Sequence, residues 1–388
     1  MEIFSAFGAA ASSLVSYIVP FLFVLTLVVF IHELGHFLVG RWCGVGVQAF
    51  SIGFGKELLG WTDRRGTRWK ISAIPLGGYV KFAGDANAAS TPDRDVLEHM
   101  SEAERRVSFF HKSVGRRAAI VAAGPIANFL LAIAIFGGAA YLGGRQVLVP
   151  KIEAVQPGSA AERAGFRGGD LVLAIDGEPI TGFADMQRIV GGRAGEPMTF
   201  SVERNGREIT LSATPDLREV STPFGPQRIG VLGLQAASSD PANWHVQRFG
   251  FVESLGVGVN ETWFIVDQTA VYVAKLFSGR ESTDQLSGPI RIAEVSGKVA
   301  SVGGFFALLN LAAVLSVSIG LINLVPIPLL DGGHLLFYAI EALRGRPLSE
   351  TAQEIGFRIG LAIVVMLMLF VTWNDLAHLG LSFGQKGT

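Results

Sequence analysis

The sequence has 388 residues, of which 49% are hydrophobic and only 17% are charged, and its mean hydropathy is +0.42. This composition is too apolar for an ordinary soluble protein, and a formal net charge of −1 gives no indication of a nucleic-acid partner. The single cysteine, Cys43, excludes an internal disulfide framework.

Four apolar blocks are each suited to cross a membrane, since a spanning helix needs ~20 predominantly apolar residues. The stretch that leads into the first block, Met1 to Pro20, has no Lys or Arg and so lacks the basic start of a cleaved signal peptide. We expect a polytopic α-helical membrane protein with four transmembrane helices. The blocks are Val15 to Val39, Ala118 to Leu142, Phe305 to Leu330, and Ile359 to Trp373 with short extensions.

The positions of Lys and Arg predict which loops face the cytoplasm. The loop between the first two blocks is rich in both, for example at Arg64, Arg65 and Arg68, whereas the N-terminal lead-in has none. We therefore expect both termini outside, with this first loop and the loop after the third block in the cytoplasm. The region from Leu142 to Gly303 is expected on the outer side.

The first loop contains a segment with strand character. Val47 to Ala83 is rich in glycine, aromatic and β-branched residues. Apolar and polar residues alternate from Trp69 to Ser72 and from Tyr79 to Phe82, which predicts β-hairpins. The polar stretch Asp85 to Glu104 is expected to be a mobile or helical surface insert.

The expected outer region opens with a compact module, Arg145 to Pro215, in which short strands alternate with Gly-rich turns around one helix. Its segments Gly158 to Ala161, Gly168 to Asp170 and Ile175 to Gly177 resemble those of a bacterial PDZ domain. This α+β fold holds an extended peptide at a sheet edge. The alternative is a rigid spacer without a ligand. Leu217 to Pro241 is expected to be only a linker.

A further apolar stretch, Phe251 to Phe277, is interrupted by polar residues such as Glu253, Glu261 and Asp267. This pattern predicts an amphipathic helix rather than a fifth span, and its placement stays open. The expected segments are 1–41 (first transmembrane helix), 42–116 (cytoplasmic loop with membrane-associated β-hairpins), 117–143 (second helix), 144–216 (PDZ domain), 217–302 (linker and amphipathic helix), 303–334 (third helix), 335–354 (cytoplasmic loop) and 355–388 (fourth helix and tail).

The run from His32 to His36 matches the pattern His-Glu-x-x-His. On a helix, residues i and i+4 share a face, so His32 and His36 can present their imidazoles to one zinc ion. Glu33 could then accept a proton from a water that the metal activates. The motif continues an apolar run, and ionisable groups at membrane depth need pairing, hydration or a metal. Histidines that merely reach the membrane interface are the alternative, which gives Glu33 no role.

A catalytic zinc usually has three protein ligands and an open position for water. Asp331 is the favoured third ligand because it ends the third block, just after Pro326 and Pro328, which break a helix. Irregular backbone at membrane depth is tolerated where protein covers it or a wet cavity adjoins it. His334 is the rival ligand, or else a polar residue at the start of a cytoplasmic helix.

Two asparagines in the apolar blocks have two interpretations each. Asn323 could donate a hydrogen bond to the substrate backbone or to the developing oxyanion. It could equally satisfy carbonyl groups freed by Pro326. Asn128 has the same two interpretations, and there packing and bonding between helices are favoured.

Taken in order, these segments resemble the site-2 protease family of intramembrane zinc metalloproteases (peptidase M50), and most closely its bacterial regulator-of-sigma-E branch. The resemblance covers nearly the whole length. It lies in His32 to His36, Gly77 to Phe82, Gly124 to Asn128, the PDZ-like segments, Leu286 to Ile290 and Asn323 to His334.

The resemblance implies a complete active site with Zn2+ as the cofactor and Glu33 as the catalytic acid/base. The substrate is expected to add as a strand to a membrane-associated β structure within Val47 to Phe82. The implied zinc ligands are His32, His36 and Asp331, and the implied substrate-binding residues are Asn323, Gly78, Tyr79 and Val80.

The resemblance also implies partners and a location. The substrates would be single-span membrane proteins of the anti-sigma-factor type, cut after an upstream site-1-type protease has trimmed their outer domain. The protein would lie in a bacterial inner membrane, with the PDZ domain on the periplasmic side and the active site towards the cytoplasm. The PDZ domain would act as a size filter or bind a peptide. Well-known members of this branch carry tandem PDZ domains, and the single copy here weakens the filter argument.

Two other functions are compatible with parts of the sequence. A non-catalytic membrane scaffold would use the PDZ-like module alone and would tolerate change at Glu33. A metal transporter would use the intramembrane His and Asp residues as a transit site. Against transport, the sequence has no internal repeat of the kind that many transporters show.

Overall fold

A computed structural model describes residues 2–85, 94–222, 225–278 and 287–384. The chain forms two compact units: unit 1 comprises residues 1–137 and 255–388, and unit 2 comprises residues 138–254. Part of the expected surface insert (86–93) and Leu286 of the family segment lie outside the described residues.

Among the described residues, four helices are long and apolar enough to cross a membrane, at Val15–Trp42, Val114–Gly143, Pro289–Leu324 and Glu350–Ala377. The predicted four apolar helices are thereby confirmed. The helices are α1 Glu2–Trp42, α2 Arg94–Glu98, α3 Glu102–Val107, α4 Val114–Gly143, α5 Ala160–Ala164, α6 Phe183–Gly192, α7 Phe251–Phe277, α8 Pro289–Leu324, α9 Asp331–Arg344 and α10 Glu350–Gly384.

The strands form one long hairpin in unit 1, β1 with β2, and four small sheets in unit 2: β6-β5-β7-β8, β9 with β10, β4 with β11, and β3 with β12. They are β1 Val47–Thr62, β2 Arg68–Phe82, β3 Arg145–Leu148, β4 Ile152–Val155, β5 Leu171–Ile175, β6 Glu178–Pro179, β7 Met198–Arg204, β8 Arg207–Ala213, β9 Asp216–Thr222, β10 Gly225–Val231, β11 Leu234–Ala236 and β12 Trp244–Gln247.

The β1–β2 hairpin is folded back on itself by several bulges. Residues 49–52 pair with 78–81 on one side and with 68–71 on the other, while 57–62 pair with 68–72. Residues 78–82 therefore form an edge of this small sheet within the part of the chain that the structure describes. The predicted β structure is present, as one long irregular hairpin.

Aromatic packing holds the hairpin against α1. Phe50 is fully buried, and its ring centroid lies 5.6 Å from that of Phe37 on α1 and 4.5 Å from that of Trp69 on β2. Such pairs contribute about 0.5–1.5 kcal/mol each beyond their burial. At the turn, Asp63 accepts a hydrogen bond of 2.7 Å from Arg41, so the turn is also tied to the end of α1.

The third apolar helix ends where its prolines predict. α8 stops at Leu324, residues 325–330 are irregular, and α9 begins at Asp331. The expected cytoplasmic loop 335–354 is helical over its first part, to Arg344. The reason is an apolar side on this segment, where Leu335 and Tyr338 pack into the cluster around Phe50.

The stretch predicted to be an amphipathic helix is α7, with the predicted bounds. In unit 1 its side chains Ile265 and Val266 pack against Ala132 of α4 and Val317 of α8. Gly258 allows a close approach, because a methyl group there would lie 2.4 Å from the carbonyl oxygen of Ile133. This helix therefore packs on other helices of its unit.

Unit 2 has a core of its own, in which Met198, Phe200 and Val202 of β7 are almost completely buried. The expected linker at 217–241 is wrong. These residues form the β9–β10 hairpin and strand β11, which pairs with β4, and Leu232 is buried in the core of the unit. The pairing joins strands that are far apart in sequence, so no local sequence pattern predicts it.

Candidate active site

Three side chains from two helices converge in unit 1. His32 and His36 lie one turn apart on α1, and Asp331 is the first residue of α9. The two Nε2 atoms are 3.2 Å apart. Asp331 Oδ2 lies 3.1 Å from Nε2 of His32 and 3.5 Å from Nε2 of His36. The three atoms thus form a small triangle that can face one ion.

This triangle fits zinc. Ligands bound ~2.0–2.1 Å from a tetrahedral zinc ion are about 3.3–3.4 Å apart, which matches the observed separations. Asp331 Oδ2 is buried and accepts no hydrogen bond from the described residues. A buried carboxylate oxygen without a donor is unfavourable, and a cation at the centre of the triangle would satisfy it.

Helix α4 shapes the space around the imidazoles. Nδ1 of His36 lies 2.9 Å from the carbonyl oxygen of Ile120, and a carbonyl can only accept. Nδ1 therefore carries the proton, and Nε2 keeps the lone pair that a metal needs. One turn further on, a methyl group at Gly124 would lie 2.3 Å from His36 Nε2 and 2.9 Å from His32 Cε1. Glycine at this position leaves the nitrogens accessible.

Glu33 connects the triangle to the hairpin edge. The backbone amide of Val80 donates a hydrogen bond to its carboxylate. Gly78 lies beside it, since a methyl group there would come within 3.1 Å of Glu33 Cγ and 2.8 Å of the Ser51 carbonyl oxygen. The edge formed by residues 78–82 thus faces the carboxylate next to the two histidines.

A cavity of about 200 Å³ adjoins the triangle. All of the residues that the sequence predicts for the site line it, and so do Leu329, Leu330, His334 and Tyr338. The rival ligand His334 is not part of the converging group, and its ring lies 5.5 Å from that of Phe357 on α10. The predicted residues brought together around the cavity are His32, Glu33, His36, Gly78, Tyr79, Val80, Asn323 and Asp331.

The sequence reasoning missed three contributors. Gly124 belongs to a segment on which the family resemblance rests, but no role was predicted for it. A small residue before a proline within an apolar block could have indicated a close approach at this position. Tyr338 sits two turns after Asp331 on the same helix and could have been found by that spacing. The contribution of the Ile120 carbonyl could not be predicted from the sequence, because every residue type has a backbone carbonyl group.

The family model described as peptidase family M50 matches residues 20–367. The chain belongs to peptidase family M50. As a member of this family it is a zinc metalloprotease, and its four long apolar helices make it a membrane protein.

Relatives at high identity agree with this assignment. A protein of Agrobacterium fabrum named as a zinc metalloprotease is 51% identical over 372 residues, 96% of this chain and 98% of its own length. One of Rhizobium meliloti with the same description is 53% identical over 362 residues, 93% and 96% of the two chains. Metalloprotease MmpA of Caulobacter vibrioides is 42% identical over 381 residues, 92% and 95%.

Among solved structures, the PDZ domain of an SdrC-like protein of Listeria monocytogenes matches 23% of this chain and 87% of its own, at 13% identity. The TM-score is 0.19, a likeness too low to carry an argument.

Proposed function

We propose that His32, His36 and Asp331 bind the zinc ion of this M50 protease and that Glu33 is its catalytic acid/base. The observation that carries the proposal is the triangle of two Nε2 atoms and one carboxylate oxygen at 3.1–3.5 Å. Three protein ligands leave a fourth position open, as in catalytic zinc sites.

In the proposed hydrolysis of a peptide bond, the zinc ion and the side chains of the protein have separate roles. Zinc, when bound, supplies a Lewis acid that polarises the substrate carbonyl and lowers the pKa of a water molecule towards ~7. The carboxylate of Glu33 accepts the proton of the attacking water and later donates it to the leaving amine. The side-chain amide of Asn323, at the cavity wall, donates a hydrogen bond to the substrate backbone or to the developing oxyanion.

The substrate would bind as an added strand on residues 78–82. This segment pairs with β1 on one side only, and Gly78, Tyr79 and Val80 line the cavity. A sheet edge offers backbone donors and acceptors to an extended peptide. A transmembrane helix must unwind to use them, so we propose cleavage where the substrate helix is locally weak.

Exposed apolar side chains in the last part of β1, just before the turn of the hairpin, support its association with the membrane. Leu58, Leu59 and Trp61 are all more than half exposed. We propose that this end dips into the lipid near the cytoplasmic surface, where a substrate helix would reach it. The orientation rests on the Lys and Arg bias of the first loop.

The proposed substrates are single-span membrane proteins of the anti-sigma-factor type, delivered by an upstream site-1-type protease in a bacterial inner membrane. Unit 2 is proposed to be a PDZ-type domain on the periplasmic side. It would limit access by substrates with large outer domains, or hold an extracytoplasmic peptide.

The test compares the native protein with Glu33→Gln, reconstituted in liposomes with a single-span anti-sigma-factor-like substrate, while bound zinc is measured. We expect the native protein to cleave and the variant to retain zinc without cleaving. Glu294→Gln is the matched control, because Glu294 is partly exposed and forms an ion pair with Lys298 one turn away on the same helix, and it should cleave at the native rate. Equal cleavage by native protein and Glu33→Gln would refute the role of Glu33.

A further inference from the structure

We infer that Asn128 is a positioning residue: its side-chain amide oxygen accepts a hydrogen bond from Nδ1 of His32 and so directs Nε2 to the zinc. The inference rests on the proposed ligand set. It assigns a function to a polar group in the middle of α4 that the chemistry of peptide hydrolysis does not itself use.

The contact is buried and close. Asn128 has no exposed surface, and its amide nitrogen is placed 3.3 Å from Nδ1 of His32. A half-turn of the amide brings its oxygen to the same place. His32 is only 8% exposed, so water has little access to replace this partner. Asn128 comes from α4 and His32 from α1, which makes the contact a link between two apolar helices.

The chemistry of the ligand decides which amide atom faces His32. If Nε2 is bound to zinc, the neutral imidazole must carry its proton on Nδ1. Nδ1 then needs an acceptor, and only the amide oxygen of Asn128 can accept. The other amide atom has no hydrogen-bond partner within the described ranges, so nothing else fixes the amide in one of its two orientations.

The second histidine shows the same arrangement with a different acceptor. Nδ1 of His36 meets the carbonyl oxygen of Ile120, also on α4. One helix thus supplies an acceptor to each imidazole, two turns apart. Outer partners of this kind fix the tautomer and orientation of metal-bound histidines, and their loss typically weakens metal binding 10–100-fold.

Packing alone does not explain the position. The backbone carbonyl of Asn128 accepts a hydrogen bond of 2.9 Å from the buried hydroxyl of Ser316 on α8, but this contact needs no particular side chain at 128. An apolar residue of similar shape would fill the space without an unpartnered amide atom. The polar side chain is therefore explained by His32.

The test measures zinc affinity by chelator competition on the full-length purified protein. Asn128→Leu keeps the shape and removes the acceptor, so we expect zinc to bind about 10–100-fold more weakly. Asn128→Asp restores an acceptor and should bind within a few-fold of native. Ser316→Ala is the matched control, because it removes a buried hydrogen bond at the same position of α4 without touching the His32 contact.

The visible absorption of the Co2+-substituted protein gives a second readout, which a purely structural role would not move. We expect the band to change in Asn128→Leu and to return in Asn128→Asp. Thermal unfolding of the metal-free protein is followed in parallel, and Asn128→Ala replaces the Leu variant if that variant unfolds early.

Native affinity in Asn128→Leu, or equal losses in the Leu and Asp variants, would overturn the inference. A His32→Ala variant separates this from a failure of the ligand set. If His32→Ala binds zinc as tightly as the native protein, then the proposed ligands are wrong, and the role of Asn128 falls with them.

Discussion

Gly360 of α10 lies directly against Pro328, because a methyl group at position 360 would come within 1.5 Å of the Pro328 carbonyl oxygen. Pro328 belongs to the irregular segment that ends at Asp331. The next residue, Leu329, has a φ of 110°, a strained value for a residue with a side chain. The fourth apolar helix therefore holds in place the backbone that carries the proposed third ligand.

We predict that Gly360→Ala slows cleavage and weakens zinc binding. The added methyl group must displace Pro328, and a shift of about 1 Å in a catalytic group can lower the rate about 100-fold. Gly138→Ala on α4 is the control, since a methyl group there would meet no described atom within 4 Å beyond the adjacent backbone of its own helix. Zinc affinity and cleavage rate of both variants check the prediction, and native values for Gly360→Ala would contradict it.

We predict that Gly124→Ala nearly abolishes zinc binding. The methyl group would lie 2.3 Å from His36 Nε2, so the imidazole must turn away or α4 must move away from α1. Zinc content after dialysis against limiting zinc is the measurement, with Gly115→Ala, at an open position of the same helix, as the control. Full zinc occupancy in Gly124→Ala would contradict the prediction that glycine at this position keeps the imidazoles accessible to the metal.

We predict that Asp375→Ala lowers the thermal unfolding midpoint in detergent. The buried carboxylate of Asp375 on α10 accepts hydrogen bonds of 2.9, 3.1 and 3.1 Å from the amides of Gly288, Ile290 and Arg291, at the start of α8. Loss of hydrogen bonds to a charged group costs about 1.5–3 kcal/mol. Asp375→Asn, which keeps one acceptor oxygen, should lose less, and equal losses in both variants would argue against this cap.

We predict that unit 2 loses stability in acid through Asp170. Burial raises the pKa of this carboxyl group, but hydrogen bonds from the Arg204 guanidinium and the Arg167 amide outweigh it, so the pKa lies below its ordinary value. A depressed pKa stabilises the fold above the unfolded value of ~3.9. That stability disappears as the pH falls through the folded pKa.

Hydrogen exchange of the β5 and β7 amides, corrected for intrinsic rates, measures this loss in the full-length protein. Between about pH 5 and about pH 2.5 the native protein should lose protection more steeply than Asp170→Asn. Parallel curves for the two proteins would mean that another group governs the acid sensitivity.

The parts that could be read from the sequence are those with a local signature. Four apolar blocks predicted four helices, and the prolines at 326 and 328 predicted the break before Asp331. The spacing of His32 and His36 placed both on one helical face. Each of these depends on residues within a few turns of one another.

The parts that could not be read depend on distant pairing or on backbone atoms. Strand β11 belongs to unit 2 because it pairs with β4, a contact that leaves no local trace. The bulges of the β1–β2 hairpin interrupt the period-two alternation, so one folded hairpin looked like several. The contact between the backbone carbonyl of Ile120 and His36 cannot be predicted from residue type, because every residue has a backbone carbonyl.

The proposed zinc ligands stand near opposite ends of the chain, with unit 2 inserted between them. A ribosome therefore delivers both histidines and Glu33 early, and Asp331 only when most of the protein has been made. The growing chain would hold an incomplete and weakly metal-binding centre throughout this time. The proposed site would be complete only once the third apolar helix and the start of α9 have been made.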